Sequence, residues 1–312
     1  MLKTENYMCT AIFDNKYGAF FGRTLDLECS YGEKVMRVAK GESLNFIHEG
    51  MHICKHSILG MAHYTGSQPL FYDAVNDAGL SAAALNFPMY ASYHKPARGR
   101  TNLASFELIS YILSRCASVG EVIHILDGAV ITPDDFSPTL KSTPLHWMIA
   151  DKTRCIVAES VAEGLKIYDD PFGVMTNSPP FPYHSARICE LAYLSPETQK
   201  NNLLPDYAIE PYSRGLGAHG LPGDYSSASR FARALFAKQN TLLPFCAEDM
   251  TQIAAAKRRI FDILGTVFLP FGITRAENGK PIYTVYTSCI DMERCEYSYF
   301  TFESREVRTV GF

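Results

Sequence analysis

The sequence predicts a layered α+β protein in which two antiparallel sheets pack face to face with helices on the outside. Three observations carry this reading. Strand-like segments come in runs, over 70–86, 145–168 and 282–303. Helix-like segments come in pairs, within 105–127 and again after Ser226 and from Thr251 to Leu264. No internal repeat or low-complexity segment interrupts the 312 residues, and a hydrophobic content of 47% is ample for a packed core.

Charge and composition exclude several classes of function. The net charge is −4, from 29 Lys plus Arg against 33 Asp plus Glu, and no dense basic run offers a footprint for nucleic acid or an anionic membrane. No stretch approaches the roughly 20 consecutive apolar residues of a membrane span, and the first eight residues lack the apolar core of a signal peptide, so a cytoplasmic location is expected. Nine cysteines form no C-x-x-C pair, and their odd number argues against a disulfide framework or a structural zinc cage. Most are expected to be small buried hydrophobes.

Residues 9–26 hold the first candidate chemistry. Cys9-Thr10-Ala11-Ile12-Phe13 reads as a short apolar strand led by a cysteine, and Phe20-Phe21-Gly22-Arg23-Thr24-Leu25-Asp26 as a second strand with an arginine and an aspartate. A thiol attacks a carbonyl as thiolate, and its ordinary pKa of about 8.5 demands a neighbouring cation or base. Arg23 can be that cation. Residues 1–8 read as a leader or propeptide, unless translation begins at Met8; their removal gives Cys9 an α-amine of pKa roughly 7.7–8.0, suited to general base work, with Asp26 to orient it. The competing reading is a buried strand cysteine beside a surface Arg and Asp.

The region 32–62 is strand-like and contains His48-Glu49-Gly50-Met51-His52, a formal H-E-x-x-H zinc motif. That motif needs a helix to bring both histidines onto one face, and Gly50 with the aperiodic apolar residues beyond it opposes one. Turn and strand roles are expected for His48, His52 and His56. Residues 70–88 read as a hairpin with its turn at 76–79 and its second strand ending at Asn86. Phe106, Ile109, Leu113 and Cys116 mark one helix, and Ser118-x-x-Glu121 is a capping box for the next. The loop 132–144, with three prolines, is expected at the surface.

Strands resume at 145–151, 154–161 and 165–168 as a meander leading into Gly173-Val174-Met175-Thr176-Asn177-Ser178-Pro179. Residues 212–231 include four glycines and a proline, and Ser226 or Ser227 caps a helix with Phe231, Leu235 and Phe236 on one face. A phosphate-cradling loop is the rival, but both the G-K-[ST] and the G-x-G-x-x-G spacings are missing. A helix near 251–264 and two long strands, 282–291 and 296–303, follow.

These blocks resemble the choloylglycine hydrolase family, the bile salt hydrolases and penicillin V acylases among the N-terminal-nucleophile hydrolases. Met8-Cys9-Thr10, the Phe21-Gly22-Arg23-x-x-Asp26 strand, the hairpin ending in Leu85-Asn86-Phe87 and Gly173-Val174-x-Thr176-Asn177 are similar to the family's motifs. The block from Gly215 through Leu221-Pro222-Gly223-Asp224 to Ser229-Arg230-Phe231 resembles it almost residue for residue, with coverage over nearly all of 8–303. The resemblance implies the four-layer αββα sandwich and a single catalytic domain over 9–312. It implies Cys9 as nucleophile, Arg23 and Asp26 beside it, Asn177 and Asn86 as oxyanion donors, Arg230 in the charge network and Phe136 as a wall of the substrate pocket. As local turn formers, Asn86 and Asn177 would look much the same.

The implied reaction is hydrolysis of glycine- or taurine-conjugated bile acids, with penicillin V as the alternative substrate. It needs no metal or organic cofactor, and its partners are small molecules, with a homotetramer implied by family analogy. A zinc-dependent hydrolase using His48, Glu49 and His52 is the alternative of another class.

Overall fold

The computed structural model describes residues 8–64, 66, 68–198, 201–244 and 251–312. The leader up to Tyr7, Cys246 and part of the stretch before Thr251 lie outside the described residues. The antiparallel pair expected around Cys9 is β1 (Met8–Asp14) with β2 (Phe20–Leu27). The strand-like region beyond it forms β3 (Lys34–Val38), β4 (Ser43–Phe46), β5 (Gly50–Ile53) and β6 (Ile58–Tyr64). The hairpin is β7 (Pro69–Asn76) and β8 (Ser81–Asn86), as its turn residues predict. A short β9 (Asn102–Ala104) precedes the first helix pair, α1 (Leu108–Leu113) and α2 (Val119–Leu126), and β10 (Val130–Thr132) follows. The meander is β11 (Leu145–Ala150), β12 (Cys155–Val161) and β13 (Gly164–Asp169).

Then come β14 (Val174–Met175), α3 (Phe181–Ala186) and the second long helix pair, α4 (Ser227–Asn240) and α5 (Gln252–Gly265). Strands β15 (Thr274–Arg275), β16 (Pro281–Asp291), β17 (Glu296–Thr301) and β18 (Arg308–Val310) end the chain. One large sheet runs β14-β1-β2-β16-β17-β18, with β15 paired to β16, and the other runs β13-β12-β11-β8-β7-β6-β3. Each neighbouring pair in both is antiparallel.

Period-two alternation explains the layering. Ala11, Phe13 and Leu25 of one sheet meet Met61, Val75, Met148 and Val157 of the other in a core between the sheets. Ile12, Phe20 and Cys289 point the opposite way and are covered by Phe231, Ala234, Ile260 and Ile263 of α4 and α5. On the far side Ile58, Ala74, Trp147 and Ile149 are covered by Ile109, Ile112 and Val122 of α1 and α2. The result is the αββα sandwich; burial of each large apolar side chain contributes about 1.5–3 kcal/mol. Gly22 explains the Phe-Gly-Arg spelling of β2, since a Cβ there would lie 2.7 Å from Ser288 O and 3.1 Å from side chains of Ile260 and Leu264 on α5.

Three details differ from the sequence reading. The buried face of α4 is Arg230, Phe231, Ala234 and Ala237, whereas Leu235 and Phe236 are only half-buried, because small alanines let the helix lie close on the sheet. Ser118 caps α2 by accepting from Glu121 N–H, but the Glu121 carboxylate accepts from Ala117 N–H, one residue earlier than a capping box requires. Of the described cysteines, 9, 54, 116, 155 and 289 are buried, whereas Cys29 and Cys189 are exposed.

The helix demanded by the zinc alternative is not formed. His48 and Glu49 lie in a turn and His52 on β5. Each side chain has another partner: His48 meets Asp134 at 2.6 Å, His52 Nδ1 accepts from Arg115 at 2.6 Å, and Glu49 accepts from Asn102 N–H at 2.8 Å. Among the described residues, no group of three His, Cys, Asp or Glu side chains is placed to hold a metal ion. No described helix is long and apolar enough to cross a membrane.

Candidate active site

The ladder pairs Cys9 with Leu25 and Ala11 with Arg23, so Cys9 and Arg23 project from the same face, toward the other sheet. Arg23 is fully buried and bridges the two sheets. Its Nη2 donates to Cys9 Sγ at 2.9 Å, its Nη1 to the carbonyls of Tyr72 and Ala84 at 3.0 Å each, and its Nε to Thr24 O at 3.3 Å. Burial opposes its charge, but Tyr286, Cys9 and Asp73 together hold its pKa above the ordinary value. For the Cys9 thiol, burial is the largest influence and pushes its pKa up, against the downward pull of Arg23 and Arg230. At rest the sulfur therefore keeps its proton near neutrality, and attack requires a base.

Two distant segments close on the other side of Cys9. Cys9 N–H donates to Asn177 Oδ1 at 2.9 Å, and Asn177 Nδ2 donates to the Asn86 carbonyl at 2.8 Å. Arg230, in the first turn of α4, donates to the Cys9 carbonyl, to Thr10 Oγ1 at 2.8 Å and to Asn177 Oδ1 at 2.6 Å. Ser226 caps that helix and Ser227 clips Asn177, accepting from its N–H at 2.9 Å and donating to its carbonyl at 2.8 Å. Glycine is required at position 173, where φ is +59° and a Cβ would lie 2.3 Å from Phe13 O, at the entry to this segment. Cys9, Arg23, Asn86, Asn177 and Arg230 thus converge.

Asp26 lies close enough to act on the Cys9 thiol, but the Cys9 nitrogen donates to Asn177 and not to the Asp26 carboxylate. Its carboxylate accepts from Thr24 Oγ1 at 3.2 Å and Thr284 Oγ1 at 2.7 Å, and in the ladder it lies opposite Met8, through which β1 continues without a break. In this chain the Cys9 nitrogen is a peptide N–H with a single proton, and Asn177 receives it.

Burial pushes the Asp26 pKa up to about 6, against Arg230 and the two threonine hydroxyls. The folded state therefore binds this proton more tightly than the unfolded chain does, so the protonated form's stability is lost as pH rises from about 4 through 6. Asp26→Asn, whose amide can reuse the threonine hydroxyls, is expected to raise Tm at pH 7 and flatten that fall while lowering turnover. Melting curves at pH 4 and 7 check it; a lower Tm for the variant at pH 7 refutes it.

Cys9 opens on a cavity of about 490 Å³, lined mainly by apolar side chains including Leu25, Phe106, Phe136 and Trp147, with His63, Asn86, Ser105 and Lys141 among its polar walls. This lies in the size range of small-molecule sites. Phe136 stands edge-on to Phe106, ring centres 5.4 Å apart, so the loop 132–144 does border the pocket.

Sequence reading missed Asp73, which is buried between the sheets and accepts from Tyr286 Oη, from Ser288 Oγ at 2.8 Å and from Tyr297 Oη at 2.8 Å. The available signal was Ser288, a polar residue between Tyr286 and Ile290 on the inward face of β16.

This αββα sandwich, with a buried cysteine held by an arginine at its inner face, is the fold of the N-terminal-nucleophile hydrolases. The chain belongs to the choloylglycine hydrolase family of linear amide C–N hydrolases, whose family model matches residues 9–312. It is 40% identical over 304 residues to the bile salt hydrolase/transferase of Lactiplantibacillus plantarum, covering 97% of this chain and 92% of the relative. The corresponding protein of Clostridium perfringens is 33% identical over 308 residues, with 97% and 92% covered.

Solved structures agree with these relatives. A mutant conjugated bile acid hydrolase from Clostridium perfringens superposes with a TM-score of 0.87 at 31% identity, covering 98% of this chain and 92% of that one. The penicillin V acylase of Agrobacterium tumefaciens, 20% identical, shares the fold with a TM-score of 0.74 over 98% and 86% of the two chains.

Proposed function

We propose that this protein is a bile salt hydrolase that cleaves the amide of glycine- or taurine-conjugated bile acids, with residues 9–312 as one catalytic domain after loss of residues 1–8. The observation that carries the reading is the apolar cavity ending at Cys9 Sγ, shaped for a bulky apolar acyl group beside a nucleophile. The freed α-amine takes the thiol proton, Arg23 favours the resulting thiolate, and the sulfur attacks the substrate carbonyl. Asn177 Nδ2, with one N–H left beyond its bond to Asn86, and the Asn86 amide donate to the oxyanion. The ammonium returns its proton to the leaving glycine or taurine nitrogen, and water, deprotonated by the same amine, then releases the bile acid from the thioester. Arg230 holds Asn177 and the Cys9 carbonyl in place, and Asp26 orients the amine once it is free. Hydrolysis of glycocholate and taurocholate with release of the amino acid tests the reading; turnover of penicillin V with none of either conjugate would sink it.

Penicillin V acylase activity is the second reading, and Asn86 is the residue that favours bile salts. Asn86→Tyr is expected to reduce bile salt hydrolysis more than penicillin V hydrolysis, because the ring narrows the cavity while its hydroxyl can still donate. Parallel rates on both substrates check this, and equal losses count against it. The protein is also read as a cytoplasmic homotetramer. Exposed Tyr193, Leu203, Leu204, Tyr207, Ile209 and Tyr212 support self-association, and light scattering on the eluting species tests it.

A further inference from the structure

His146, on β11, is buried and has no part in the chemistry above. Its ring meets two acceptors at once, with Nδ1 3.1 Å from Glu159 Oε1 and Nε2 2.9 Å from the Thr176 carbonyl. A neutral imidazole has one N–H and one acceptor nitrogen. Both contacts are hydrogen bonds when the ring carries both protons opposite an ionised Glu159, or when a neutral ring accepts from a protonated Glu159; Phe181 N–H, which reaches both carboxylate oxygens, favours the first arrangement. The two side chains are 2% and 0% exposed, where a charge survives only when paired and fully hydrogen-bonded. Glu159 is completed by Phe181 N–H, at 3.0 and 3.2 Å from its two oxygens, at the start of α3.

The segments that this pair touches give it meaning. Thr176 immediately precedes Asn177, whose Oδ1 accepts from Cys9 N–H. Phe87 immediately follows Asn86, and its ring stacks on the His146 ring at 4.4 Å with an interplanar angle of 7°. The register of β11 on β8 sets His146 opposite Leu85 and Leu145 opposite Asn86. One imidazolium thus contacts both segments that carry the oxyanion donors, and Glu159 ties it to the helix that follows them. His184, also against this segment, is no rival cation: burial pushes its pKa down to about 4, and its Nε2 lies 3.1 Å from the Asn177 carbonyl.

We propose that the buried His146–Glu159 ion pair is a positioning device that fixes the separation and aim of Asn86 and Asn177 across the Cys9 thiol. The proposal rests on the reading of those asparagines as oxyanion donors. A buried ion pair adds little net stability over an apolar replacement, whereas an oxyanion site depends on donors held in place before the reaction.

Glu159→Gln tests it with little disturbance of shape, since glutamine can still accept from Phe181 N–H. kcat on glycocholate is expected to fall about 100-fold with KM within about threefold of wild type. Alkylation of Cys9 by iodoacetamide should stay near the wild-type rate, because Arg23 and the thiol are untouched. His146→Gln, which can still donate to Thr176 O, should retain more kcat than His146→Phe, which keeps only the stack on Phe87. Nitrogen-15 spectra at pH 7 should show both ring nitrogens of His146 protonated in the wild type and only one in Glu159→Gln.

A folded Glu159→Gln variant with wild-type kcat, or a neutral His146 ring in the wild type, overturns the proposal. If the wild type hydrolyses another amide instead of glycocholate, the same ratios are read on that amide. The ring spectra need no substrate, so a failed bile salt reading and a failed positioning role remain distinguishable.

Discussion

Intact-mass analysis and N-terminal sequencing of active protein should return a chain that begins at Cys9. The physical reason is the state of the thiol. Burial outweighs Arg23 and holds the Cys9 pKa above its ordinary value, so an arginine at 2.9 Å does not by itself supply thiolate at neutral pH. A base must take the proton, yet among the described residues no histidine is hydrogen-bonded to Cys9 Sγ, and the Cys9 nitrogen in the chain that includes Met8 is a peptide N–H bound to Asn177. Cutting before Cys9 converts that nitrogen into an amine of pKa roughly 7.7–8.0 at the nucleophile itself.

Cys9→Ala should lose all amide hydrolysis. Cys9→Ser, nearly isosteric, should keep its fold and lose most activity, because an alcohol is far harder to ionise than a thiol. A fully active chain that still carries Met1 through Met8 would sink the N-terminal-nucleophile mechanism.

Replacing Arg23 should produce the other large loss, and in more than one property. Sequence alone suggests a substitution that costs turnover much more than stability. The structure alters that expectation, because the guanidinium also satisfies the carbonyls of Tyr72 and Ala84 on the opposite sheet. Arg23→Gln should lower kcat/KM about 10²–10³-fold. It should also lower stability by about 1–3 kcal/mol as a buried carbonyl loses its donor. Removing the cation raises the thiol pKa, so less thiolate exists at a given pH. The midpoint of the alkylation-rate profile of Cys9 should therefore move up by about 1–3 pH units. An unshifted alkylation profile in a folded variant would remove Arg23 from the activation of the nucleophile.

The amino-acid sequence by itself determined the layers of this protein and the short-range half of its site. Alternation along β1 and β11 specifies which residues face the inter-sheet core and which face the helices, and the pairing of β1 with β2 places Cys9 and Arg23 on one face of a two-stranded ladder. Asn86, Asn177 and Arg230 were legible only through their resemblance to family motifs, since an asparagine at a turn and an arginine in a helix's first turn are locally unremarkable.

Tertiary structure decided what those residues meet. Asn177 is 168 residues from Cys9 and Arg230 is 221, and these contacts exist only because α4 and β14 both pack on β1. It also decided the fate of Asp73, His146 and Glu159, polar side chains in strands otherwise read as apolar. Periodicity reports which face a residue occupies; burial of a charge depends on partners arriving from other strands and helices, and hydrophobic pattern carries no record of which partner will be there.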